Sequence, residues 1–170
     1  MKMTTLWPPR THDGSALIHA YADLLGWPLL SQGRRVSAQT AEHQLVRPGP
    51  ITLRTTCTAF DAVTVAHRVG ASALVWIERE IGLVPCLSQG HAAMTFLVQP
   101  GTSADLAALE GISCTTGTGQ ISLPPSAGVR WDTPPWQAIS AHREPLPLHA
   151  AAHLKPGLRD ALRLHGNVLP

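Results

Sequence analysis

Nine histidines, three cysteines and a run of arginines between positions 34 and 54 hold most of the chemical potential of this chain. His149 and His153 stand at i, i+4, so a helix would put both imidazoles on one face, with His142 a candidate third ligand. Zinc needs three or four converging donors, and the general base of an HExxH site is missing because Ala150 follows His149. The pair therefore reads as a partly exposed helix face, and no metal is assigned.

Cys57, Cys86 and Cys114 each lie among apolar or β-branched neighbours, where a thiol behaves as a small hydrophobe. No GxSxG elbow and no CxxC accompanies them. Their odd number and wide spacing fit a reducing compartment, so the expected location is cytoplasmic. TGTGQ at 116–120 is glycine-rich but lacks the Lys and the following helix of a phosphate-binding loop, which leaves a tight turn. Arg34, Arg35, Arg47 and Arg54 make a basic patch if the intervening loop folds back, with Trp7, Trp27, Trp131 and Trp136 as stacking surfaces. The competing reading is a solvated loop, with those tryptophans in the core or at its rim.

The elements that position these residues follow from apolar periodicity. Leu17, Tyr21 and Leu24 at i, i+4 and i+7 predict a helix that Asp13 caps and Gly26 ends. Gly33, Pro48, Gly49 and Pro50 break the next stretch, which reads as loop apart from a short strand at 28–30. Alternation predicts strands at 51–56 and 59–65, and spacing by four at Val69, Ala73 and Ile77 predicts a helix over 66–81 closed by Gly82. Strands follow at 83–87 and 93–98, then a short helix from the Thr102–Asp105 start signal. Further strands fall at 112–115, 119–123 and 129–131. Prolines confine the end of the chain to short helices at 147–154 and from Pro156 to Gly166.

The charge balance restricts the function classes. The chain has 170 residues with 13 Lys and Arg against 11 Asp and Glu, a net +2, and 44% hydrophobic residues. Disorder is excluded by that composition, and a strongly basic nucleic-acid binder is disfavoured because affinity there comes from neutralised phosphates. No stretch reaches the ~18 apolar residues of a membrane span, and the first residues hold no apolar signal core, so neither membrane insertion nor secretion is expected. One domain is expected, with a core at about 14–136 and a proline-rich helical tail at 137–170. Its fold class is α+β, a mixed, mostly antiparallel sheet flanked by helices.

The run GTGQISLPPSAGVRWDTPPW resembles the end of the bifunctional DNA primase/polymerase domain, in which a glycine-rich strand leads into a PPS turn and then a Gly and an aromatic. AYADLLGWPLL resembles that family's opening helix and Gly-Trp-Pro strand, and FDAVTVAHRVGASAL its strand, turn and helix bearing the first acidic motif. SQGHAAMTFLVQPG resembles its Gly-and-His strand, so the order matches over roughly residues 16–136. The segments FDAVTV, GLVPCLS and LPPS are most similar to a degenerate actinobacterial branch of small standalone members.

Active members resemble two-metal polymerases in which a DxD pair and a third Asp hold Mg²⁺. The resemblance puts the DxD positions near Val63 and Val65, the third Asp at Ser113 and its neighbouring Arg at Thr115, with Asp61 the only carboxylate on the strand. It also puts His91, with Ser88 three residues earlier, near a phosphate-contacting histidine, although a strict register places Ala93 there. The candidate ligand set is Ser88, His91, Thr115, Ser126 and Arg130; the basic patch read from the residues adds Arg34, Arg35 and Arg54 for nucleic acid, and neither catalytic residues nor a cofactor are expected.

Those departures point to a non-catalytic regulatory or binding module for a nucleotide, a nucleic acid or a protein partner. Two alternatives stand beside it. One is an active nucleotidyltransferase recruiting Asp61, Asp105 or Glu110. The other is an oligomeric interaction subunit that docks through Trp and Leu residues of the tail.

Overall fold

A computed structural model describes residues 13–139 and 142–165. Helix α1 (Gly14–His19) starts where the Asp13 carboxylate accepts the Ala16 N–H, and it passes directly into a π-helical turn, Ala20–Leu24. Strands β1 (Leu29–Ser31) and β2 (Arg34–Val36) form a hairpin around Gln32 and Gly33, whose φ angles of 51° and 75° suit a two-residue turn with the twist of its strands. Helix α2 (Ala38–Leu45) follows, capped by the Ser37 hydroxyl accepting the Thr40 N–H. This corrects the loop expected there. Only Ala41 of α2 is buried, so the helix leaves almost no apolar period to read.

Strands β3 (Leu53–Thr56) and β4 (Asp61–Ala66), helix α3 (His67–Glu80), and strands β5 (Cys86–Gln89) and β6 (Ala93–Val98) fall close to their predicted places. The short helix expected after Thr102 is a single 3-10 turn, Ser103–Leu106. Strands β7 (Ile112–Thr115), β8 (Gln120–Leu123) and β9 (Val129–Thr133) are followed by a hairpin of β10 (Trp136–Ile139) and β11 (His142–Pro145) inside the stretch read as a helical tail. The two helices expected beyond it are one, α4 (Ala151–His165), with Pro156 inside. A continuous buried face of Ala151, Leu154, Leu158 and Ala161 holds α4 together across the proline. Gly166, the expected stop, and Trp7 lie outside the described residues.

The protein is α+β. Its strands form a four-stranded sheet in the order β2-β1-β3-β8, a five-stranded sheet in the order β7-β4-β6-β5-β9, and the β10–β11 ribbon, with every pair antiparallel. One face of the five-stranded sheet buries Val63, Val65, Cys86, Met94 and Phe96 against α3 and α4. The two helices approach closely at Gly157, where a Cβ would stand 2.6 Å from the Trp76 ring. The opposite face shares a second core with α1 and the inner face of the four-stranded sheet, through Ala62, Leu87, Leu97, Leu53 and Leu123. No helix among the described residues is long and apolar enough to cross a membrane.

Tyr21 centres the aromatic part of that second core. Its ring stacks at 6.0 Å on Trp27 and lies within 6.4 Å of Trp131 and 5.9 Å of Trp136, and its hydroxyl accepts the Trp131 indole N–H at 2.7 Å. All three tryptophans are buried, so they pack the core and offer no stacking surface to a ligand.

Candidate functional site

Register decides which side chains share a face, because strand side chains alternate and directly paired residues point the same way. Thr64 pairs with Ser113 on one side and Thr95 on the other, and the two threonine hydroxyls are hydrogen-bonded at 2.8 Å. Thr115 pairs with Ala62, and Ala66 with Ala93. Where the four-stranded sheet does not cover this face, Ser113 and Ala66 are exposed and Thr64, Thr115 and Ala93 half-buried. A strip of hydroxyls and methyls results. No carboxylate stands on it.

Val63 and Val65, the positions matched to a metal-binding pair, point the other way and are buried beneath α3. They do not face Ser113, which is paired with Thr64. The residues that do share its side of β4 are Ala62, Thr64 and Ala66. A one-residue shift in alignment exchanges faces; the Ala62, Thr64, Ala66 set carries no acid, and the Val63, Val65 face carries one, Asp61 at the start of the strand.

Asp61 closes the start of β4 and is almost fully buried. Its carboxylate accepts the Ser103 N–H at 3.0 Å. Burial pushes its pKa up, but bonds from the backbone and hydroxyl of Ser103 and from the N–H groups of Gly101 and Thr102 outweigh that and hold it below the ordinary value. A cavity of about 510 Å³ beside it is lined by Cys57, Cys114, Ser103 and Thr116 among others. Burial, with the Asp61 charge added, pushes the Cys57 thiol up to about 11, so it carries no thiolate at neutral pH. Asp61 therefore clamps the 101–103 turn. Among the described residues no three His, Cys, Asp or Glu side chains are grouped to hold a metal ion, and Asp105 and Glu110 are exposed.

Past the Ala66–Ala93 end of the strip stand two histidines. The His91 ring lies 5.9 Å from that of His67, edge to face. His91 and Arg130 line a hollow of about 260 Å³ between the turn at Gly90 and the loop at Gly128, which are joined by a Gly90 N–H to Gly128 carbonyl bond of 2.7 Å. Arg130 lies 3.4 Å from a carboxylate oxygen of Asp132, and the other oxygen of Asp132 accepts the hydroxyl of buried Ser88. The hollow can hold an anionic group between an imidazole and a guanidinium whose position is set from behind.

Of the five residues in the implied ligand set, the structure brings together His91 and Arg130. Ser88 stands behind Arg130 through Asp132, on the helix-covered face. Thr115 lies on the strip. Ser126 lies in the turn between β8 and β9, where its hydroxyl accepts the Leu53 N–H at 2.7 Å and donates to the Leu53 carbonyl at 3.0 Å. Sequence reasoning missed Asp132, although an Arg-x-Asp spacing in an alternating strand was the available signal.

Arg35 and Arg54 are both paired with Leu30, one from each side, on the outward face of the four-stranded sheet, whereas Arg34 pairs with Ser31 and points to the other face. His149 and His153 have ring centroids 6.2 Å apart, with His149 just ahead of α4 and His142 on β11. No family model matches the chain, and neither a curated protein nor a solved structure matches it.

Proposed function

We propose that this chain is a non-catalytic binding module on a primase/polymerase-like frame, and that the His91–Arg130 hollow, at the sheet end beyond the polar strip, receives the phosphates of a nucleotide. The observation that carries the reading is the composition of the strip. Ala62, Thr64, Ala66, Ala93, Thr95, Ser113 and Thr115 occupy the face on which a two-metal enzyme needs paired carboxylates, and they supply no anionic oxygen. The accessible hydroxyls among them, on Thr64, Ser113 and Thr115, donate and accept neutral hydrogen bonds, which suits a sugar or base edge. The imidazole of His91 and the guanidinium of Arg130, which line the hollow past the strip with Arg130 on the helix-covered side, suit phosphate.

Two assays test the two halves of the proposal. Primer extension with Mg²⁺ and with Mn²⁺ is expected to give no product, and product that disappears in Asp61→Ala would establish an active nucleotidyltransferase instead. Isothermal titration with ATP is expected to give saturable heat that Arg130→Ala reduces about tenfold in affinity or more, the scale of a charge-assisted hydrogen bond. An absence of heat would remove the nucleotide reading.

A further inference from the structure

An open β-sheet leaves backbone N–H and C=O groups along its outer strands, and proteins guard them with charged side chains or prolines. Most edges of this chain are guarded. Strand β2 carries Arg34 and Arg35, β9 carries Arg130 and Asp132, and β11 carries His142, Arg143 and Glu144. Strand β8 runs into Pro124 and Pro125, and β10 starts directly after Pro134 and Pro135. Strand β7 has neither guard. It ends the five-stranded sheet, pairs with β4 on one side, and has no strand on the other among the described residues. Residues 111–129, which begin at this strand, form the longest run of the chain without Asp, Glu, Lys, Arg or His.

Pairing with β4 sorts the side chains of β7. Ile112 and Cys114 stand opposite Val65 and Val63, on the helix-covered face, and Ser113 and Thr115 stand opposite Thr64 and Ala62, on the strip. Ser113 and Cys114 are exposed and Ile112 is half-buried. Two more half-buried apolar residues border the helix-covered side, Leu109 just before β7 and Leu162 of α4, which lies against Gly111. At the other end of β7 opens the cavity of about 510 Å³, walled by Ala104, Ala107, Cys114 and Thr116 among others.

We infer that β7 pairs antiparallel with β7 of a second copy of this chain, joining two five-stranded sheets into one continuous sheet. A two-fold axis perpendicular to the sheet keeps each face continuous, so directly opposed residues both belong to the helix-covered face or both to the strip. With the axis at Ser113, the two Ser113 residues face each other, and Ile112 of each copy stands opposite Cys114 of the other, at the mouth of the cavity. The second copy fits because the edge is complementary to itself. Its free backbone groups match in antiparallel register, no like charges meet, and Ile112 loses water on both copies at once. The ladder is short, so the dimer is weak and forms as concentration rises. The pairing does not depend on the nucleotide reading.

The test is sedimentation velocity of the full chain, without nucleotide, between about 5 and 500 μM. The weight-average mass is expected to rise from one chain toward two. Ser113→Lys and Ser113→Glu each set like charges opposite one another and are expected to weaken the dimer about tenfold or more, whereas an equimolar mixture of the two is expected to regain it. Gln120→Lys puts the same charge on the β8 edge and is expected to dimerise as the parent does. Melting curves verify that each variant is folded. If one melts early, hydrogen exchange of the unaltered chain carries the test: amides of residues 111–116 are expected to slow as concentration rises, with those of 129–133 unchanged. A parent that stays monomeric at the highest concentration overturns the inference. So does a Ser113→Lys variant that dimerises like the parent, a charge-swapped mixture that stays monomeric, or an equal loss in Gln120→Lys.

Discussion

Replacing Ser126 by Ala separates a structural role from a ligand role at a position that the sequence reading placed in the ligand set. The Ser126 side chain accepts from the Leu53 N–H and donates to the Leu53 carbonyl, and both residues are buried, with Leu53 at 1% exposure. The preceding Pro124 and Pro125 offer no N–H of their own. Removing the hydroxyl strands a buried N–H, which costs about 1–3 kcal/mol, and deletes a donated bond worth about 0.5–1.5 kcal/mol. A net loss of about 2–3 kcal/mol in a chain of this length lowers Tm by roughly 5–10 °C. Scanning fluorimetry and urea melts measure it, with Ser122→Ala on the half-exposed outward face of β8 as a control expected to stay within about 0.5 kcal/mol. If Ser126→Ala melted with the parent while ATP affinity fell, Ser126 would be a ligand contact and the clamp argument would be refuted.

The hydrogen bond to Asp23 raises the His19 pKa and, with Glu42 adding to the rise, outweighs the lowering by burial. Stability from this α1–α2 contact is therefore full below the unfolded value of 6.5 and lost as pH rises through the folded value, so the Tm advantage of the parent over His19→Gln should shrink between about pH 5.5 and 8.5. Gly70→Ala would set a Cβ 2.6 Å from the Met94 Cβ, which is fixed to strand β6, so chemical denaturation should show a loss of about 1–3 kcal/mol from overpacking. Gln32→Asn places a residue that tolerates the left-handed region at φ 51° ahead of Gly33, and it should raise stability by about 0.5–1 kcal/mol in the same assay. Iodoacetamide at about pH 8 should label Cys114 first in the folded protein, because Cys57 and Cys86 are buried with thiols pushed up by that burial, and a mass spectrum showing all three labelled at one rate would contradict the packing.

Elements with a strong one-sided period were legible from residue order. Helix α3 shows Val69, Ala73 and Ile77 on the face that it buries, and β4 alternates between two different cores. Helix α2 was not legible because it is held by a Ser37 cap and by contact with α1 while burying one alanine. In α4, Pro156 reads as a boundary, yet packing on α3 keeps the helix whole. The tryptophans could be read either as a ligand platform or as core, and burial around Tyr21 decides for core.

By themselves the residues determined the α+β class, the two main helical faces, Asp61 as the one carboxylate on its strand, and the concentration of arginine before residue 55. These follow from composition and from local periods of 2 and 3.6. Only the tertiary structure decided that Ser113 faces Thr64 and not Val63, that His91 meets Arg130, that Ser126 bonds Leu53, and that Arg35 and Arg54 flank Leu30 while Arg34 turns away. Each of those is a pairing between segments distant in the chain, or hinges on which of two sheet faces a side chain takes. A single-residue slip in register reverses that choice, and register is set by the burial of whole faces against one another.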